Sequence, residues 1–326
     1  MRHLKWVVLL ALAAFGDPAA AQTQAMREIA ARVELHAIPS LTLSDQQFLA
    51  GDQGGTPVTV TGELRIAQGS GRLPVVLLMH GSGGVGPNID YWVRLLNGMG
   101  VSTFVIDGFT GRGLASVNTD QARLGRLNFI LDIYRSLDIL ARHPRVDPER
   151  IVLMGFSRGG QAALYASLDR FHEQWNSSGA RFAAYISFYP DCATTYRRDA
   201  ETGSRPIRIF HGEADDYNPL RTCAAYVERL RAAGRDVAIA TYPDAHHGFD
   251  TPLGTTATPS RGAQSVRECT IREADGGTLI NVATQAPFTY RDACVALDPH
   301  VGGNAAAREA VTVAVRDFVR SVLRLE

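Results

Sequence analysis

Six short apolar runs constrain the fold of this chain more than any other feature: Leu73–Met79, Val101–Ile106, Arg150–Gly155, Phe182–Phe188, Pro206–His211 and Asp236–Tyr242. None shows the every-second-residue alternation of a strand with one wet face, so each reads as a strand covered on both sides. Helical patterns separate them. Within Asp120–His143, the residues Leu124, Leu127, Ile130, Leu131, Tyr134, Leu137 and Leu140 form one stripe. Leu220–Ala233 and Ala305–Leu325 read similarly, the last with Val311, Val315, Phe318, Val322 and Leu325 on one face. Parallel neighbours need crossovers, so the alternation predicts one α/β domain with a mainly parallel central sheet and helices on both faces. Val58–Ile66 alternates more regularly, as an antiparallel edge hairpin with neighbouring residues would.

Two regions fall outside this rhythm. Residues 22–55 are polar and end in Gly51–Gly55, which reads as a loop-like arm laid on a domain of residues 56–326. Residues 251–303 form an inserted excursion between the sixth strand and the last helix. Within it Arg267–Arg272 and Thr278–Ala283 flank Asp275-Gly276-Gly277, a hairpin-turn signal.

At the N-terminus Arg2, His3 and Lys5 precede the apolar run Trp6–Phe15, and Ala19-Ala20-Ala21 follows. That pattern predicts a secretory signal over residues 1–21, cut after Ala21, and a periplasmic or extracellular mature protein. The 33 basic and 33 acidic residues cancel, which leaves no footprint for nucleic acid or an anionic membrane. No later segment reaches eighteen uninterrupted apolar residues, so no membrane anchoring is expected. Lys5 is the only lysine, which excludes Schiff-base chemistry, a Ser–Lys dyad and a phosphate-binding P-loop lysine. The four cysteines, Cys192, Cys223, Cys269 and Cys294, are an even count in an exported chain, so two disulfides are expected. Of three possible pairings the neighbours Cys192–Cys223 and Cys269–Cys294 are preferred. With no C-x-x-C and no H-E-x-x-H among nine histidines, neither a metal nor an organic cofactor is expected.

The residues that carry chemistry stand at strand ends. The strand Ile151–Gly155 runs into Gly155-Phe156-Ser157-Arg158-Gly159-Gly160 and then into the helical stretch Gln161–Leu168. This is G-x-S-x-G between a buried strand and a helix, the setting in which the turn lifts a serine above the sheet edge. A serine hydroxyl needs a base to take its proton and an acid to orient that base. Downstream, Ile207–His211 leads into Gly212-Glu213-Ala214-Asp215-Asp216, and the next strand leads into Asp244-Ala245-His246-His247. The order Ser, Asp, His suits such a site, but spacing separates neither Asp215 from Asp216 nor His246 from His247. Pro74–Met79 ends in His80-Gly81-Ser82-Gly83-Gly84, a glycine-rich turn. The backbone N–H groups of Ser82 and Arg158 are the natural pair to hold a developing oxyanion.

Together these residues resemble the dienelactone hydrolase-like branch of the α/β-hydrolases over roughly residues 40–325. The markers, in order, are His80-Gly81-Ser82-Gly83-Gly84, Asp107-Gly108-Phe109-Thr110-Gly111-Arg112-Gly113, the Ser157 turn, Gly212-x-x-Asp215-x-x-x-Pro219 and Ala245-x-His247-x-Phe249. The resemblance implies an α/β-hydrolase fold, Asp215 as the acid and His247 as the base. Exported relatives carry cysteines where Cys192 and Cys223 fall, which supports their pairing. The family's namesakes use a cysteine nucleophile; serine at 157 points instead to an esterase acting on small carboxylic esters or lactones. The rival readings are a peptidase or amidase of the same fold and a non-catalytic binding protein on a hydrolase scaffold. Arg112 and Arg158 are candidates for a substrate carboxylate, and Tyr91 and Trp92 for the acyl pocket.

Overall fold

A computed structural model describes residues 28–325; the signal segment expected at residues 1–21 lies outside the described residues. The strands are β1 (Arg32–Thr42), β2 (Thr56–Ile66), β3 (Leu73–Met79), β4 (Ser102–Asp107), β5 (Val146–Phe156), β6 (Ala184–Phe188), β7 (Thr194–Thr195), β8 (Ile207–Gly212) and β9 (Val237–Tyr242). The helices are α1 (Asp45–Ala50), α2 (Pro87–Gly98), α3 (Asn128–Arg142), α4 (Arg158–Tyr165), α5 (Asp169–Trp175), α6 (Leu220–Ala232) and α7 (Ala305–Leu323). Eight strands form the main sheet in the order β1-β2-β4-β3-β5-β6-β8-β9. The β1–β2 and β2–β4 pairs are antiparallel and the rest parallel.

Alternate residues of the central strands feed two cores. Val75, Leu77 and Met79 join Ile130, Leu137 and Leu164 on one face, while Val76 and Leu78 join Trp92, Leu96, Val311 and Val315 on the other. Because both faces are covered, these strands lack alternation.

The stretch read as a loop-like arm is corrected by β1, which pairs with β2 over its full length. Its pattern is inverted. Val33 and Leu35 face solvent, while Ile38 and the polar Ser40 are buried. Ser40 is satisfied by Asp132, to which its hydroxyl donates at 2.5 Å. The helix expected from Asp120 starts instead at Asn128, after a single 3-10 turn at Gln121–Arg123. The Arg158 guanidinium takes the carbonyls of Gln121 and Leu124, which an earlier helix start would need internally.

The excursion is irregular but tied down. Ile271–Glu273 and Leu279–Asn281 pair antiparallel around the turn Asp275–Gly277, and Ile271–Arg272 also pair with β7. Cys192–Cys223 and Cys269–Cys294 are both bridged. Val266, Cys269 and Ile271 are buried in the main core. The hairpin also meets α1, where Gln46 Nε2 donates to Thr278 Oγ1 at 3.3 Å.

Candidate active site

The site stands at the carboxyl ends of the central strands. Ser157 joins β5 to α4 with φ +55° and ψ −117°, outside the regions an ordinary side chain prefers. The turn closes because its flanks carry no side chain. A Cβ added at Gly155 would lie 2.0 Å from the Gly159 carbonyl oxygen, and one at Gly159 would lie 2.2 Å from that of Met79. The Ser157 N–H donates to the Phe188 carbonyl at 3.0 Å and fixes the bend.

Of the acids and imidazoles that spacing left open, Asp215 and His247 reach the serine. His247 Nε2 lies 2.8 Å from Ser157 Oγ, and His247 Nδ1 lies 2.9 Å from Asp215 Oδ2. Asp215 Oδ1 accepts the N–H groups of Tyr217 and Asn218, each at 2.9 Å, so its carboxylate is held from both sides. Its Oδ2 favours the imidazole tautomer with the proton on Nδ1, which leaves Nε2 free to accept from the serine. Tyr217 stacks on the His247 ring at 4.6 Å and 30°, and Tyr189 meets it edge-on at 4.6 Å. Burial pushes the Tyr217 phenol up to about 12, so it stays neutral.

Asp216 and His246 lie outside this chain of contacts. Asp216 takes the His300 backbone N–H at 2.8 Å and its ring Nδ1 at 2.9 Å. Partial burial alone would raise the Asp216 pKa, but these bonds hold it below the ordinary carboxylate value. Asp216 thus ties the end of the excursion to the loop after β8 that bears Asp215. The ring of His246 lies 5.8 Å from that of His300.

The turn after β3 comes up against the serine, with a Cβ added at Gly81 falling 3.2 Å from Ser157 Cβ. Arg158 is the first residue of α4, and its N–H has no acceptor within the helix. Gln121 joins the two turns. Its Oε1 accepts from Ser82 Oγ at 3.1 Å and Arg158 Nη2 at 2.7 Å, while its Nε2 donates to Tyr217 Oη at 3.3 Å. His80 braces the same turn from below. Its Nδ1 donates to the Gly81 carbonyl at 2.7 Å and its Nε2 accepts from Gly108 N–H at 3.1 Å. Burial lowers its pKa, so the ring is neutral.

The remaining candidates lie elsewhere. Arg112, expected near a substrate carboxylate, is corrected to a buried partner of Asp132, at 2.7 and 2.9 Å. It also donates to the carbonyls of Gly108 and Leu41 and to Thr42 Oγ1, so all five of its N–H donors are engaged. Tyr91 and Trp92, expected in the acyl pocket, line neither cavity at Ser157. Trp92 donates to Asp250 at 2.8 Å and packs on Phe188; Tyr91 bonds Thr312 at 2.6 Å. Helix α2 turns these rings into the second core because its apolar face includes Ile89, Trp92, Val93 and Leu96. Gln121, Tyr189 and Tyr217 were not singled out from the sequence. Tyr217 alone had a signal there, its place two residues after Asp215.

Among the described residues, one group of side chains brings possible metal ligands together: Glu34, His36 and His143, on β1 and after α3. His143 Nδ1 accepts the Arg145 N–H, which places its ring proton on Nε2, facing Glu34 at 3.0 Å. That is the geometry of a hydrogen-bonded cluster.

A family model described as "Dienelactone hydrolase family" matches residues 61–270. Among curated proteins, acyl-protein thioesterase 1 of Gibberella zeae is 33% identical over 100 residues, 31% of this chain and 42% of that protein. The uncharacterized peptidase YuxL of Bacillus subtilis is 23% identical over 217 residues, 56% of this chain and 32% of that protein. The chain thus spans less than half the length of these relatives. Among solved structures, the dienelactone hydrolase-like promiscuous phosphotriesterase P91 from metagenomic libraries superposes with a TM-score of 0.55 at 16% identity. That match covers 89% of this chain and 98% of P91, a likeness of fold. Among the described residues no helix is long and apolar enough to cross a membrane.

Proposed function

The chain belongs to the dienelactone hydrolase family, and on that premise we propose that it is a serine hydrolase of carboxylic esters, lactones included. The observation that carries this reading is the unbroken contact chain from Ser157 Oγ through His247 to Asp215. Ser157 Oγ attacks the ester carbonyl carbon while His247 Nε2 takes its proton. The oxyanion that forms lies between the N–H groups of Ser82 and Arg158, and Asp215 steadies the imidazolium. When the carbon–oxygen bond to the alcohol breaks, His247 hands its proton to the leaving oxygen. A water deprotonated by the same imidazole then attacks the acyl-enzyme, and the acid departs as the serine recovers its proton.

The two disulfides support a working place outside the reducing cytoplasm. Similarity to a protein named as a peptidase keeps amide hydrolysis as a second reading. The test is stoichiometric labelling of Ser157 by a fluorophosphonate, run beside turnover of p-nitrophenyl acetate and a matched anilide. We expect labelling, ester turnover well above amide turnover, and a loss of at least about 10⁴-fold in kcat for Ser157→Ala. A folded, unlabelled protein would instead be a binding module.

A further inference from the structure

Two cavities of very different size meet at Ser157. One is an open groove of about 500 Å³ that includes His247, the glycines of the 81–86 turn and residues of the excursion such as Thr256 and Leu253. The other holds only about 40 Å³ and is walled by Ser82, Gln121, Arg158, Gln161, Val266 and Tyr290, without His247. From this division we infer that the enzyme accepts esters with a short, polar-tolerant acyl group and a large alcohol. The inference rests on the reading of Ser157 as the residue that becomes acylated.

The assignment of sides follows from the reacting carbon, which has four substituents. One is Ser157 Oγ, and one is the oxygen between the two backbone donors. The leaving oxygen must lie beside His247 Nε2, because that atom gives it a proton. The large groove contains His247, so the alcohol occupies it. The acyl chain takes the remaining direction, toward the cavity that lacks the imidazole.

Volume then limits the acyl group. A space of about 40 Å³ has room for about three water-sized groups. Counting the carbonyl carbon, acetyl fits with room for about one further atom, and butyryl exceeds the space. The lining is also largely polar: it includes Gln121, Gln161, Arg158 and Asp191, with Val266, Tyr217 and Tyr290 as its less polar members. A methylene chain pressed among these groups would offer them no bonds.

The wall is braced against widening. Gln121 makes the three bonds described above, and Tyr290 Oη accepts from Arg126 Nη2 at 3.0 Å. Ser265 Oγ donates to the Tyr217 carbonyl at 2.6 Å, and Val266 is held by Cys269 N–H at 2.8 Å, next to the Cys269–Cys294 bridge. The excursion therefore sets acyl length.

The experiment is a kcat/KM series with p-nitrophenyl acetate, butyrate and octanoate, beside 1-naphthyl acetate as a bulky-alcohol ester. We expect a fall of at least tenfold from acetate to butyrate and at least a hundredfold to octanoate, with naphthyl acetate within tenfold of the p-nitrophenyl ester. Val266→Ala and, because that valine is in the core, separately Gln161→Ala should each raise the butyrate-to-acetate ratio at least fivefold. Equal rates on acetate and octanoate would overturn the inference, as would a ratio unmoved in both variants shown by circular dichroism to be folded. Labelled, active enzyme without length discrimination refutes this inference alone. No labelling and no turnover of any ester refutes the hydrolase reading beneath it.

Discussion

Arg112 and Arg158 are both buried guanidiniums, and they fix different things. Arg112 closes a pair with Asp132 beneath β1, so Arg112→Ala would strand a carboxylate that is 0% exposed. Loss of one partner of such a pair costs about 3–5 kcal/mol. Urea denaturation should show that loss, while the ratio of activities on neutral and anionic esters stays constant; a selective loss on the anionic ester would restore the substrate role. Arg158 instead holds residues 121–125, and through them Gln121. Replacing Gln121 with leucine removes the acceptor shared by Ser82 and Arg158 and should lower kcat by about tenfold, the scale of one misplaced oxyanion donor or less, with KM little changed. Gln121→Glu keeps an acceptor and should recover part of the rate, which a general packing defect would not. The serine turn, the acid loop and the histidine loop were legible because each chemistry-bearing residue follows a strand end and lies within three positions of a glycine. Asp215 could not be told from Asp216, since the two differ only in which way a loop points them. Gln121 was illegible, because its role depends on three partners scattered from Ser82 to Tyr217.

At the scale of elements, apolar runs gave the central parallel strands nearly to their ends, since burial on both faces leaves little freedom in residue type, except that β5 begins four residues earlier, at Val146. The β1 strand escaped for the opposite reason: its inward positions include Ser40, whose hydroxyl has a private acceptor in Asp132. The excursion was visible only as an interruption. Its short ladders, such as Gln264–Ser265 with Ala296–Leu297, are two or three residues long and carry no periodicity. What holds it is the Cys269–Cys294 bridge, which closes a separation of 25 residues. A loop of that size is worth about 3 kcal/mol in the chain-entropy model. Replacing both cysteines by serine should lower the unfolding free energy by about that much. Since the same segment walls the small cavity, the acetate preference should weaken in parallel. Chemical denaturation and the ester series on one preparation would check both; full stability with unchanged selectivity would show that the bridge braces nothing.

Across the whole molecule, several histidines are kept neutral by burial. His80, His172 and His211 all have pKa values lowered below 6.5, with desolvation as the main cause. In the unfolded chain they take up protons near pH 6.5, while the native state resists until lower pH. Between those values the unfolded state binds more protons, so stability rises with pH there. The contribution is whole above about pH 6.5 and is lost as pH falls through the native values. Buried Asp45 and Asp250, whose pKa values burial raises above 3.8, act with the opposite sign. Melting temperature should therefore fall between pH 7.5 and 5.5, and the drop should shrink in His80→Asn; an equal drop in the variant would remove His80 from the cause. The contact of Gln46 with Thr278 has a different kind of consequence. It joins points 232 positions apart, so this helix, the first among the described residues, meets Leu127 and Trp175 early but completes its contacts only with the hairpin near the far end. Long-range closures of this sort slow folding. Until the hairpin is in place one side of that helix stays uncovered, a surface that chaperones are suited to shield.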